Sequence, residues 1–210
     1  MARQIDAKCR KCRRAMDKLF LKGDRCFSPK CAMVRKAYFP GMHGKAGSRG
    51  LSEYGTQLAA KQKIKRIYGV LERQFHKHFE EVKSKKGIIG DLLLQRLEMR
   101  LDNIAFRMGI GNSRSQSRQL VSHGFVKVNG KKVNIPSCEV KVGNIVSVNE
   151  NKKEKVYIKN LNQILKNKKD FPQWIDFDSS KIEGKITRMP DRMEIGINVD
   201  PQIIVEYYSR

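Results

Sequence analysis

Four of the five cysteines fall in the stretch CRKCRRAMDKLFLKGDRCFSPKC, residues 9 to 31. Cys9 and Cys12 form a C-x2-C pair, thirteen residues intervene, and Cys26 and Cys31 form a C-x4-C pair. Two close thiol pairs joined by a short loop suit one tetrahedral zinc ion, because each pair spans one edge of the tetrahedron. Four thiolates around zinc leave a net negative charge, which Arg10, Lys11, Arg13, Arg14, Arg25 and Lys30 surround and offset. Nearby cations also favour the thiolate form. A four-cysteine shell leaves no open position, so such a metal is structural and stands in for a core this segment is too short to build. Two disulfides and a four-cysteine iron–sulfur cluster are the alternatives. Cys138, alone in IPSCEV, reads as a small half-buried hydrophobe.

The 210 residues carry 44 Lys and Arg against 21 Asp and Glu, a formal charge of +23, which calls for a polyanionic partner. Residues 1–90 hold 23 basic and 7 acidic side chains, 91–150 hold 9 and 5, and 151–210 hold 12 and 9, so the first ninety residues are the most cationic. No apolar run approaches the roughly 20 residues of a membrane span, no lipidation motif is visible, and the N-terminus lacks a secretory h-region. A cytosolic setting is therefore expected, where clustered thiols favour metal over disulfide. No nucleophile and base pair up in any motif, no phosphate loop is present, and His43, His76, His78 and His123 are scattered. Neither an enzyme nor a small-molecule substrate is expected.

Several elements must position these charges. YFPGMHGKAGSRGLSEYG, with Pro40 and four closely spaced glycines, reads as an extended basic connector bearing His43, Lys45 and Arg49. From Ser52, Ile64, Ile67, Tyr68, Leu71, Phe75, Phe79 and Val82 recur at helical steps, with Gly69 dividing two helices; Phe75 and Phe79 read as core. Leu97, Leu101, Ile104, Ala105 and Met108 predict one further helix ending at Gly109. Ser113 and Gln116 open another, His123-Gly124 close it, and Arg114 and Arg118 lie one turn apart on it. FVKVNGKKVNI alternates around Asn129-Gly130 as a hairpin, and EVKVGNIVSVNE reads as a second strand pair. Trp174 reads as core, and the terminal apolar run as packed on a distant element.

RLEMRLDNIAFRMGIGNSRSQSRQLVSHGFVKVNGKKVNIP resembles the S-four RNA-binding domain, and LSEYGTQLAAKQKIKRIYG and QIIVEYYSR are similar to the corresponding parts of the small-subunit ribosomal protein four family of bacteria and organelles. The resemblance covers nearly the whole chain, and the family's zinc-bearing version has four cysteines at this spacing. It implies an α+β fold: a zinc-bound N-terminal segment and connector (residues 1–45), a discontinuous, mostly helical domain (46–95 with 160–210), and an inserted S-four-type module of two helices plus antiparallel strands (96–159). It implies a primary binder of small-subunit ribosomal RNA in the cytoplasmic or organellar small subunit, nucleating assembly, touching small-subunit ribosomal protein five, lying near where messenger RNA enters, and contributing to accuracy. After His43-Gly44 the chain has KAGSRG, leaving Lys45 and Arg49 for any messenger contact.

The residues expected to meet RNA are Arg3, Lys8, Arg10, Lys11, Arg13, Arg14, Lys22, Arg25, Lys30, Arg35, Lys36, His43, Lys45, Arg49, Tyr54, Lys61, Lys65, Arg66, Arg114, Arg118, His123, Lys127, Asn129, Lys131 and Lys132. Alanine at Arg114 and Arg118 is expected to weaken RNA binding without unfolding. The rival reading is an accessory RNA-binding factor that meets ribosomes transiently; a catalytic relative of the module would need a further domain.

Overall fold

Capping chemistry sets the helices. Ser52 accepts a hydrogen bond from the Gly55 N–H at 3.2 Å and starts helix α3, Glu53–Tyr68, which ends where Gly69 turns left-handed at φ 65°. That turn needs a residue without a Cβ penalty. Before α3 come α1, Lys8–Ala15, and the single-turn α2, Ala32–Arg35. After it come α4, Glu72–Lys83, and α5, Ile89–Glu98. The computed structural model describes residues 5–46, 50–152, 154–167 and 170–210.

The chain divides into two compact units: Met1–Leu93 with Ile197–Arg210, and Leu94–Gly196. In the first, the apolar stripes of α3 and α4 bury Ile64, Ile67, Tyr68, Phe75, Phe79 and Val82. Helix α10, Gln202–Ser209, packs on them, with the Tyr208 ring 4.6 Å from that of Phe79 and 6.3 Å from that of Phe75. Phe75 and Phe79 are core, as their spacing predicts.

The second unit holds α6, Leu101–Arg107, and α7, Arg114–Ser122, followed by β1, Val126–Val128, β2, Lys131–Lys132, and β3, Ile145–Val148. Then come α8, Val156–Asn167, β4, Ile175–Asp178, β5, Glu183–Ile186, and the one-turn α9, Arg192–Ile195. Among the described residues the strands form one antiparallel sheet in the order β2-β1-β3-β5-β4. Val126 stands opposite Val148, and Val146 opposite both Val128 and Gly184. Gly184 belongs there for want of space: a Cβ would stand 2.9 Å from Met108 Cε and 3.0 Å from Ile175 Cγ2. Asn129 and Gly130 turn the hairpin at φ 48° and 78°, as the Asn-Gly signal requires.

Three expectations differ from the structure. The single helix read from Leu97 to Met108 is two, because Arg100 is extended at φ −74°, ψ 139° and pairs with Glu139 as an isolated bridge. The Leu101 N–H donates to Cys138 O at 2.8 Å and the Val140 N–H to Met99 O at 2.9 Å, so the backbone groups freed at the break find partners across the chain. Apolar spacing runs through this break undisturbed, which hides it from the sequence. The strand pair read in EVKVGNIVSVNE is one strand, β3; its first half is engaged by Met99, and Gly143 N–H donates to Ile186 O at 2.8 Å. Finally, the module does not stop at residue 159: β4 and β5 extend its sheet and Trp174 joins its core, so only Ile197–Arg210 of the C-terminal stretch lies with the helical unit. Residues 5–45 cluster with that helical unit and not apart from it.

Candidate nucleic-acid interface and cysteine cluster

Cys12 on α1 and Cys31 before α2 are buried, while Cys9 and Cys26 are half-buried. All four line one cavity of about 20 Å³, together with Leu21 and Met33. All four are free thiols. Burial pushes the Cys12 thiol up, against a backbone hydrogen bond from Leu19, and the charges of Cys26, Cys9 and Cys31 push it further. The Lys22 N–H donates to Cys26 Sγ at 3.3 Å. A divalent cation would relieve the mutual repulsion of four such sulfurs, so the donor set fits zinc. Yet among the described residues no three His, Cys, Asp or Glu side chains are grouped closely enough to hold a metal. The geometry thus establishes converging thiols and does not establish the zinc-bound segment expected from their spacing.

Around the cluster, described residues 5–46 carry twelve Lys and Arg against three Asp. Arg10, Lys22, Arg25, Lys30, Arg35 and Lys36 are exposed, as are His43 and Lys45. Lys8 is half-buried and lines the cysteine cavity. Arg13 donates from Nε to Tyr38 O and from Nη2 to Phe39 O, both at 2.9 Å, and its guanidinium lies 4.6 Å from the Tyr38 ring centre. Arg14 stands over Phe39 at 5.9 Å, so Arg13 and Arg14 hold the connector to α1, while Lys45 lies over Tyr38 at 5.7 Å within the connector itself. Arg3 and Arg49 lie outside the described residues.

Cations also crowd between α1 and α3. Burial and then the Arg14 charge pull the Arg66 guanidinium below its usual value. Burial does the same to the Lys11 ammonium, partly countered by Asp6 at 3.7 Å and reinforced by Arg66 and Lys65. Positive groups packed closely enough to disfavour one another's charge form a site that a phosphate would relieve.

Several residues expected to meet RNA are already committed within the protein. Lys61 is 4% exposed; its ammonium donates to Glu72 at 2.6 Å and lies 4.4 Å from the Tyr207 ring centre. Lys65 donates to the other Glu72 oxygen at 2.7 Å. Tyr54 is exposed beside Tyr207, with the two hydroxyls 3.4 Å apart. Arg114 Nε donates to Asn103 Oδ1 at 2.7 Å, and Arg118 Nη1 donates to Asp102 Oδ2 at 2.9 Å. Asp102 also takes both Nε and Nη2 of buried Arg100, at 3.1 and 2.9 Å. Fully buried Glu98 takes Arg107 on both oxygens at 2.8 Å and has Arg114 at 3.7 Å. Alanine at Arg114 or Arg118 would leave these carboxylates short of a partner, so either substitution is expected to cost stability in addition to any RNA contact.

On the sheet, the Asn129 side chain accepts from the Ile145 N–H at 2.8 Å and donates to Asn144, joining the hairpin to β3. Lys127 pairs with Glu150 at 3.6 Å. Lys131, Lys132 and His123 are exposed, and the Lys132 stem fills the space that Gly124 leaves. The roles of Tyr38 and Phe39 are set by Arg13, 25 and 26 residues away, and those of Glu98, Arg100 and Asp102 by how the chain folds around the break at Arg100; the Arg100-x-Asp102 spacing is the one local signal of them.

The family model of the ribosomal protein S4/S9 N-terminal domain matches residues 3–98, and that of the S4 domain matches residues 99–146. The chain is 49% identical over 210 residues to small ribosomal subunit protein uS4 of Ruminiclostridium cellulolyticum, covering 100% of both chains. It is 47% identical to uS4 of Azoarcus sp. and 45% identical to uS4 of Nitrosospira multiformis, with the same full coverage.

Proposed function

Since the chain belongs to the small ribosomal subunit protein uS4 family, we propose that it is a structural protein of the small subunit that binds small-subunit ribosomal RNA directly and nucleates its assembly. The observation that carries the reading is the crowding of Lys11, Arg14, Lys65 and Arg66 beside a basic, largely exposed N-terminal segment. Each phosphate contact releases counterions, so affinity falls with salt. The RNA is recognised as a folded shape, since A-form helices hide their base edges. Contact with ribosomal protein five, a place near the incoming messenger through Lys45 and Arg49, and a share in accuracy are finer proposals resting on family membership.

One structural zinc on Cys9, Cys12, Cys26 and Cys31 belongs to the same proposal, supported by their shared cavity and the N–H bond to Cys26 Sγ. Bound there, zinc supplies a rigid cross-link and no reaction. The chain's own part is to hold Arg10, Arg25 and Lys30 around that frame, where phosphates reach them.

The test has three readouts. Purified protein should carry one zinc per chain by mass spectrometry, and chelation should weaken binding to small-subunit ribosomal RNA at least tenfold. Retention on small subunits through a high-salt wash separates an integral protein from an accessory factor. Metal-free protein with unchanged affinity would remove zinc, and release in the wash would overturn the integral role.

A further inference from the structure

Within the cysteine segment, Phe20 between the two pairs and Phe27 just after Cys26 present their rings to solvent. Leu19 and Leu21 are buried at 3% and 9% exposure, whereas Phe20 between them is 42% exposed and Phe27 is 77% exposed. The rings stack on each other with centroids 5.1 Å apart and planes 29° from parallel. Phe20 sits in the left-handed region at φ 49°, a conformation that strains any residue with a side chain. Its two leucine neighbours hold it there by going inward, which directs the ring outward. An isolated exposed hydrophobe needs no explanation, but a stacked pair held out by a strained backbone is a constructed surface. Its surroundings decide the partner: Lys18, Lys22, Arg25 and Lys30 are all exposed in the same loop, with Asp24 their one acidic neighbour between residues 18 and 31. A protein or lipid face would match the rings or the charges. Unpaired RNA matches both, offering a base to the ring and phosphates to the lysines.

We propose that Phe27, backed by Phe20, stacks on an unpaired base of the RNA that this segment binds. This rests on the ribosomal RNA reading above and adds a base contact to the phosphate contacts argued there. Stacking tolerates any base and contributes no charge, so it should appear in affinity and not in salt dependence.

The experiment is a salt titration of binding to purified small-subunit ribosomal RNA by full-length wild type, Phe27→Ala and Phe27→Trp. Phe27→Ala should bind about 5- to 150-fold more weakly, the range of one lost base stack, with the slope of log affinity against log salt unchanged. Phe27→Trp should keep wild-type affinity, and its added fluorescence should be quenched by RNA. Equal affinity of Phe27→Ala and wild type, a reduced salt slope, or an added tryptophan signal indifferent to RNA would overturn the stack. Failure of the wild type to bind would instead overturn the RNA reading beneath it.

Discussion

At the scale of the residue, a cation's role is decided by what stands behind it. Arg118 and Arg100 converge on Asp102, whose side chain is 6% exposed, and Arg107 and Arg114 on Glu98, which is fully buried. A buried charge stripped of its partner is strongly destabilising. Asp102→Ala strands Arg100, itself 2% exposed, and should lower unfolding stability by about 3–5 kcal/mol, read as a fall in the urea midpoint. Arg118→Ala leaves Asp102 its bond to Arg100 and should lose less. Equal and negligible losses would mean the network holds nothing together. Four arginines are local in the sequence and two of them are expected to meet RNA, but their types and spacing do not show that two acids at most sixteen residues away already hold them.

At the scale of the element, helix α10 is tied to α3 and α4 through one carboxylate. Burial would push the Glu72 carboxyl up, but hydrogen bonds from Lys61, Lys65 and Tyr208 outweigh it and bring it to about 2. Burial first, then the bond to Glu72, raises the Tyr208 hydroxyl. The folded value lies below the ordinary 4.5, so this contribution to stability is present above pH 4.5 and is lost as pH falls toward 2. Glu72 is 45% exposed, and solvent screening holds the effect to about 1 kcal/mol. Wild type should therefore lose its stability advantage over Glu72→Gln across that window, measured as the difference between their denaturant midpoints; a constant difference from pH 6 to pH 2 would contradict the tie. The helices themselves were legible, because Gly69, Ser113 and the apolar steps are local signals. The break at Arg100 and the extension of the sheet by β4 and β5 were not, because each is set by pairing with distant backbone, Glu139 in one case and β3 in the other.

At the scale of the whole molecule, charge and cysteines give complementary information. The concentration of basic residues in the first ninety is readable from composition, and the structure adds that some of them, Lys61 above all, face inward while Arg10, Lys22, Arg25, Lys30, Arg35 and Lys36 face out. The thiol spacing foretells the convergence of Cys9, Cys12, Cys26 and Cys31 on one cavity, but ligand geometry depends on an ion that no spacing supplies. The direct measurement is equilibrium binding of the full-length protein to small-subunit ribosomal RNA, with large-subunit ribosomal RNA as competitor, between about 50 and 200 mM salt, where proteins making several phosphate contacts lose orders of magnitude in affinity. A direct ligand of the small subunit gives a steep linear fall of log affinity with log salt and keeps a preference for small-subunit RNA throughout. Equal affinity for both RNAs at every salt concentration would leave only nonspecific attraction to phosphate and would contradict a primary role in small-subunit assembly.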